Sequence, residues 1–164
     1  EEMERTNTRP SDIRKAADLI VAEKKAGRKA LTAWSGHMPR LYLGRYEDRR
    51  WTDVVEVHFS VPQQMAIFKN RAAEGALVVR MGYQGLMIRD KNQRLILMCG
   101  RHTDPAFAIP EETLVHIDMG YELGDAMVPI EGYPIRIFPP SGFMQAAVYN
   151  AIDVEVQQQL GKAE

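Results

Sequence analysis

The chain is poor in several things, and each shortage removes a class of protein. A single cysteine, Cys99, rules out an internal disulfide framework. It sits in the apolar run Leu95-Ile96-Leu97-Met98, where a thiol is expected to behave as a small buried hydrophobe. No apolar stretch approaches the roughly 18 residues that signal a membrane span, and the opening residues Glu1 to Pro10 are polar rather than signal-like. A cytoplasmic protein is therefore expected, although an exported one whose signal had been removed would read the same. Charge of either sign is not in excess: 21 Lys and Arg stand against 22 Asp and Glu, for a net charge of -1. Such a balance provides no global field to attract nucleic acid or an anionic membrane. The chain also lacks a P-loop, a Gly-x-Gly-x-x-Gly dinucleotide loop and a Gly-x-Ser-x-Gly nucleophile elbow. ATPase, Rossmann dehydrogenase and hydrolase readings lack their required parts, and no cofactor is expected.

What is present is the composition of one globular domain. The 164 residues are 45% hydrophobic and 26% charged, enough to bury a core and far from the profile of disorder. A single domain over residues 1–164 is expected, with residues 1–10 as a flexible N-terminal segment. No internal repeat, low-complexity tract or linker interrupts it.

Periodicity alternates along the chain. Ile13, Ala16, Ala17 and Ile20 form one helical stripe between Ser11, expected as N-cap, and Gly27, expected as the stop. The nearly continuous apolar run from Lys29 to Ser35 predicts an inner strand covered on both faces. A short helix or loop over Gly36 to Gly44 precedes Val54 to Phe59, whose alternation predicts an edge-like strand. Pro62 then opens a helix carrying Met65, Ile67, Phe68 and Ala72 up to Gly75, which feeds a strand over Ala76 to Met81. Leu95 to Cys99 and Leu114 to Asp118 are two more strands. A closing helix starts near Ser141, with Met144, Ala147, Val148, Ala151 and Ile152 expected on its inner face. This rhythm predicts an α/β fold with helices on both faces of a mainly parallel sheet. One connection is short: about a dozen residues separate Met81 from Leu95, close to the minimum for a parallel crossover. A hairpin of Leu86 to Arg89 with Arg94 to Met98 is the rival.

In an open parallel sheet ligands bind beyond the carboxyl ends of the strands. After the first strand come Ser35, Gly36, His37 and Arg40: a hydroxyl, a close backbone approach, a group titrating near neutrality and a guanidinium fork suited to phosphate. After the third come Gly82, Tyr83, Gln84 and Gly85. After the last apolar run, Ile135 to Phe138, Ser141 and Gly142 open the final helix, whose N-H groups and dipole favour an anion.

Gly124-Asp125-Ala126, Glu131-Gly132-Tyr133-Pro134 and Pro139-Pro140-Ser141, together with the Gly36-His37 step, resemble the sugar isomerase (SIS) domain family, in its single-domain branch. The resemblance is specific over residues 118–152 and suggestive over 29–40. It implies a five-stranded, three-layer αβα sandwich of flavodoxin-type topology that dimerises and binds phosphosugars through Ser- and Thr-rich loops. Here Arg80-Met81-Gly82-Tyr83-Gln84-Gly85 has no hydroxyl apart from a tyrosine, a departure from the family's second loop, so the phosphate would rest on backbone amides and Gln84.

Each candidate has a plainer reading. His37 is a general acid or base for aldose-ketose isomerisation, or a histidine at a helix start. Arg45, Arg49 and Arg50, diluted by Glu47 and Asp48, form a solvated surface, and Arg40 is the best individual phosphate ligand. His102 with Asp104, and His116 with Asp118, place imidazole and carboxylate two apart, but neither spacing supplies the three or four converging ligands of a metal site, so no metal is expected. Asp125 and Glu131 suit proton transfer or, more plainly, turns. The expectation is a carbohydrate-derivative-binding homodimer with Ser35, Gly36, Arg40, Gly82, Gln84, Gly85 and Ser141 around the ligand. The alternative is a degenerate domain serving as a non-catalytic interaction module, its cleft filled by side chains such as Tyr83 or Trp34.

Overall fold

The computed structural model describes residues 9–34, 52–56, 66, 68–70, 75–81, 93–101, 109–111, 113–122, 128–134, 136–137 and 141–161. Its first element, α1 (Pro10–Lys25), starts with proline in its first turn, and Arg9 stands at the N-cap position with no side-chain cap. Ser11 therefore does not cap this helix, because the fixed φ of Pro10 already sets its first turn. The helical start also shortens the predicted N-terminal segment, since Pro10 belongs to α1. Gly27 ends the helix at φ 71°. The Arg28 N-H reaches the Glu23 carbonyl at 2.9 Å and the Gly27 N-H reaches Lys24 at 3.0 Å, the paired closure of a Schellman motif.

Five strands follow: β1 (Ala30–Trp34), β2 (Thr52–Glu56), β3 (Leu77–Met81), β4 (Arg94–Arg101) and β5 (Thr113–Glu122). They form one sheet in the order β2-β1-β3-β4-β5, with every neighbouring pair parallel. As expected, β1 lies inside and is buried throughout, while β2 is an edge. Both sides of β4 are occupied by parallel strands, so Arg94 to Met98 has no open edge for an antiparallel partner. The hairpin reading is overturned, and the connection after β3 is a crossover.

Alternation along each strand sorts the core into two faces. On one, Trp34, Leu77, Val79, Met81, Ile96, Met98, Ile117 and Met119 pack with Ala16, Ala17 and Ile20 of α1 and with Ile152 and Val156 of the closing helix, α2 (Ser141–Gly161). On the other, Phe68, among helical residues 66 and 68–70, covers Leu31, Ala33, Val78 and Leu95. Helices on both faces of a parallel sheet make three layers, the expected α/β sandwich. The final apolar run contributes β7 (Arg136–Ile137), which pairs antiparallel with β6 (Val128–Pro129) in a separate ribbon rather than in the main sheet.

The inner face of α2 differs in part from the sequence expectation. Ile152 is buried and Met144 and Val148 pack against the core, but Ala147 is exposed and Gln145, Ala146 and Val156 are buried instead. A helix with apolar residues all round has no single face that periodicity can select.

Candidate functional site

Strand order locates the switch point of the sheet. The chain passes from β1 outward to β2 on one side, returns to β3 on the other, and continues through β4 to β5. The reversal lies between β1 and β3, the kind of switch point at which open parallel sheets bind ligands. Trp34 and Met81, the last residues of these strands, are register partners. Two of the segments singled out from sequence, one beginning at Ser35 and the other at Gly82, thus leave the sheet from adjacent points. Ser35, Gly36, His37, Arg40, Gly82, Tyr83, Gln84 and Gly85 themselves lie outside the described residues, as do Arg45, Glu47, Asp48, Arg49, Arg50, His102, Asp104 and Asp125.

Ser141 is described. It is the first residue of α2 and is 4% exposed, with Gly142 buried beside it. Contacts between the helices fix their relative direction: Arg14 pairs with Glu155 at 3.6 Å, and the Gln159 amide donates to Asp18 at 2.9 Å. Since both residue numbers rise together, α1 and α2 run parallel. The C-terminus of α1 leads directly into the start of β1, so both helices run from the carboxyl edge of the sheet to its amino edge. By this register Ser141 lies about ten residues, or roughly 15 Å of helix, beyond the level of Pro10 on the carboxyl side. The positive end of α2 therefore lies on the carboxyl side of the sheet, on the flank formed by α1 and β5, the elements this helix packs against.

The carboxyl end of β5 has its own irregularity. Sequence ended this strand at Asp118, yet it runs on to Glu122. The ladder with β4 steps from Cys99 opposite Asp118 to Arg101 opposite Glu122, so β5 accommodates extra residues in a bulge. Gly120, at φ 72°, supplies the left-handed backbone, and its N-H donates to Asp118 Oδ1 at 2.9 Å. Bulges re-aim a strand at sheet rims and beside functional sites.

Beside this bulge the buried Cys99 Sγ lies 3.7 Å from His116 Nε2, which is also 3.2 Å from the Cys99 carbonyl. Burial, with the Asp118 carboxylate adding to it, pushes the Cys99 thiol up to about 12. A thiol held protonated in this way is a poor nucleophile, in keeping with its plain sequence reading. Among the described residues no three His, Cys, Asp or Glu side chains gather as a metal-ligand set, and no helix is long and apolar enough to cross a membrane. Glu131 and Gly132 form the corners of a turn closed by the Tyr133 N-H on the Ile130 carbonyl at 3.1 Å, with Gly132 at φ 78°. Glu131 is exposed there, and its turn role is the plainer of its two readings.

Sequence reasoning missed Arg80. The strand expected over Ala76 to Met81 already held it, as β3 does, but its complete burial was not foreseen. Its guanidinium lies 5.7 Å from the Phe68 ring centroid and donates through Nη2 to Gln93 Oε1. An arginine among Leu77, Val78, Val79 and Met81 is hard to recognise as buried from sequence, because its partners are distant in the chain. Trp34 is also placed: its side chain is spent on the core against α1.

No protein-family model matches this chain, and no curated protein matches it.

Proposed function

We propose that this domain binds a phosphosugar or a related carbohydrate derivative at the carboxyl edge of its sheet, in the crevice opened between β1 and β3. The observation that carries this reading is the pairing of Trp34 with Met81 at the ends of adjacent strands. It makes the Ser35 to Arg40 segment and the Gly82 to Gly85 segment neighbours at their origins. The first brings a hydroxyl, an imidazole and a guanidinium, the second two glycines and an amide. The N-terminus of α2, at the same edge, adds main-chain N-H groups and a positive dipole end for the anionic group.

In this reading Arg40 and the glycine amides hold the phosphate, and Ser35, Gln84 and Ser141 orient the sugar. His37 moves the proton between adjacent carbons if the ligand is isomerised. The likeness of residues 118–152 to SIS domains supports the same substrate class. Trp34, one of two side chains that could have filled the cleft of a purely structural module, is committed to the core.

The test is thermal shift with a panel of sugar phosphates, unphosphorylated sugars and inorganic phosphate, repeated on His37→Ala and Ser141→Ala, each measured against its own baseline. Ligand at about 100 times its dissociation constant adds about 2.7 kcal/mol. A selective shift that shrinks in both variants is expected. A folded protein that responds to no sugar phosphate overturns the proposal in favour of the interaction module.

A further inference from the structure

At the amino edge of the sheet, away from the ends where the Ser35 and Gly82 segments depart, two arginines meet on one carboxylate. Arg28 lies just past α1, and Arg94 opens β4. Glu23 Oε2 accepts from Arg28 Nε at 2.8 Å. Its other oxygen, Oε1, accepts both from Arg28 Nη2 at 3.1 Å and from Arg94 Nη1 at 2.6 Å. Two guanidiniums that are far apart in the chain are thus neighbours across a single oxygen atom. The Glu23 side chain is 4% exposed, whereas those of Arg28 and Arg94 are 60% and 38% exposed.

The charges of this cluster do not balance. One carboxylate neutralises one guanidinium, and among the described residues Glu23 is the only acidic partner of either arginine. Asp53, an exposed acid at the same edge, is engaged with Lys29 at 3.5 Å. The negative end of the α1 dipole is already served by Lys24 and Lys25 in its last turn, both exposed. Tying α1 to β4 needs Arg94 alone. Holding a second guanidinium beside it brings two like charges together with a counter-ion for only one.

We propose that the outer side of this arginine pair is an oxyanion site and that its ligand is a phosphate group. Arg28 Nη1 and Arg94 Nε and Nη2 are not committed to Glu23, and each guanidinium offers five N-H donors in a fixed fork. The buried carboxylate holds both forks in position before a ligand arrives, which is the support a precise site needs. Donors from two forks serve the several oxygens of a phosphate better than the two of a carboxylate. A phosphate charge of about -1.5 to -2 at neutral pH meets the surplus guanidinium and the lysines beside it. A free phosphate ion and a phosphate ester share this chemistry. The site lies at the opposite end of the strands from the proposed sugar crevice and is independent of what that crevice binds.

Proton-nitrogen correlation spectra of the arginine Nε-H groups test it, in a titration with inorganic phosphate at an ionic strength held constant with chloride. The Arg28 and Arg94 signals are expected to move together and saturate, while that of Arg14, an exposed arginine paired with Glu155, stays in place. Methyl phosphate titrated in parallel separates the sources: equal affinity identifies the free ion as sufficient, and tighter binding of the ester identifies an esterified ligand. Arg28→Gln and Arg94→Gln each leave Glu23 one arginine, keep the fold by circular dichroism, and weaken binding about tenfold as followed on the remaining arginine. Arg14→Gln leaves it unchanged. Signals that never saturate, that respond equally to chloride, or that saturate as before in both arginine variants overturn the proposal and leave the reading of the crevice untouched.

Discussion

Trp34 and Met81 stand side by side as register partners at the last positions of β1 and β3, with both side chains buried in the same core cluster. Their side chains anchor the switch point from beneath, and the segments that follow them depart from a rigid origin. A site built at the ends of packed strands inherits their precision. The amino edge of the sheet, at the other end of the same strands, holds instead an ion cluster that ties α1 to β4.

That cluster centres on Glu23, buried at the end of α1. Its carboxylate accepts from Arg28 Nε at 2.8 Å and Nη2 at 3.1 Å, and from Arg94 Nη1 at 2.6 Å. The Arg28 hydrogen bond first, and Arg94 after it, holds the Glu23 carboxyl down at about 2 against an ordinary 4.5. A depressed carboxylate stabilises the fold fully above its unfolded value, and that contribution is lost as pH falls from about 4.5 to about 2. Glu23→Gln is expected to cost about 2 kcal/mol at neutral pH. Chemical denaturation across this pH window checks it: the gap between the two proteins should close toward the acid end.

Thr32 and Thr52 join β1 to β2 by a buried hydroxyl contact of 2.6 Å. The Thr52 hydroxyl donates to the Asp53 carbonyl at 3.2 Å, so Thr32 is the donor between them. Thr52→Val strands a buried hydroxyl and should cost about 1–3 kcal/mol, whereas Thr32→Val and Thr52→Val together should cost less than the sum of the single changes. A double-mutant cycle in urea measures the coupling.

Gly27 has open space where a Cβ would stand, but its φ is 71°. Gly27→Ala should therefore destabilise through the backbone alone, by about 1 kcal/mol, and Gly27→Asn by less. Thermal melts of the two variants separate conformational strain from packing.

Cys99, fully buried and with its thiol pushed up to about 12, should resist thiol reagents in the native protein at mildly alkaline pH and react at once on unfolding. A modification time course with and without denaturant reads this directly.

Much of the fold was legible in the sequence because its signals are local. Gly27 as a helix stop, the apolar runs of β1, β3 and β4 and the alternation from Val54 that overlaps β2 follow from steric and hydrophobic rules acting within a few residues. The rhythm of these elements already implied a parallel sheet covered on both faces. Of the candidate site, sequence supplied residue types and the general rule that ligands sit beyond strand ends, and it correctly put Ser141 at the head of the last helix.

Tertiary structure decided what depends on partners far along the chain. The extension of β5 past Asp118 needed a bulge matched to β4, the burial of Arg80 needed Phe68 and Gln93, and the rejection of the hairpin needed neighbours on both sides of β4. The strand order, and with it the meeting of the Trp34 and Met81 ends, is likewise a property of pairing rather than of any segment. Local residue patterns determine which elements form and which faces they bury; hydrogen bonding between distant strands, which no short stretch encodes, decides which strand ends come together.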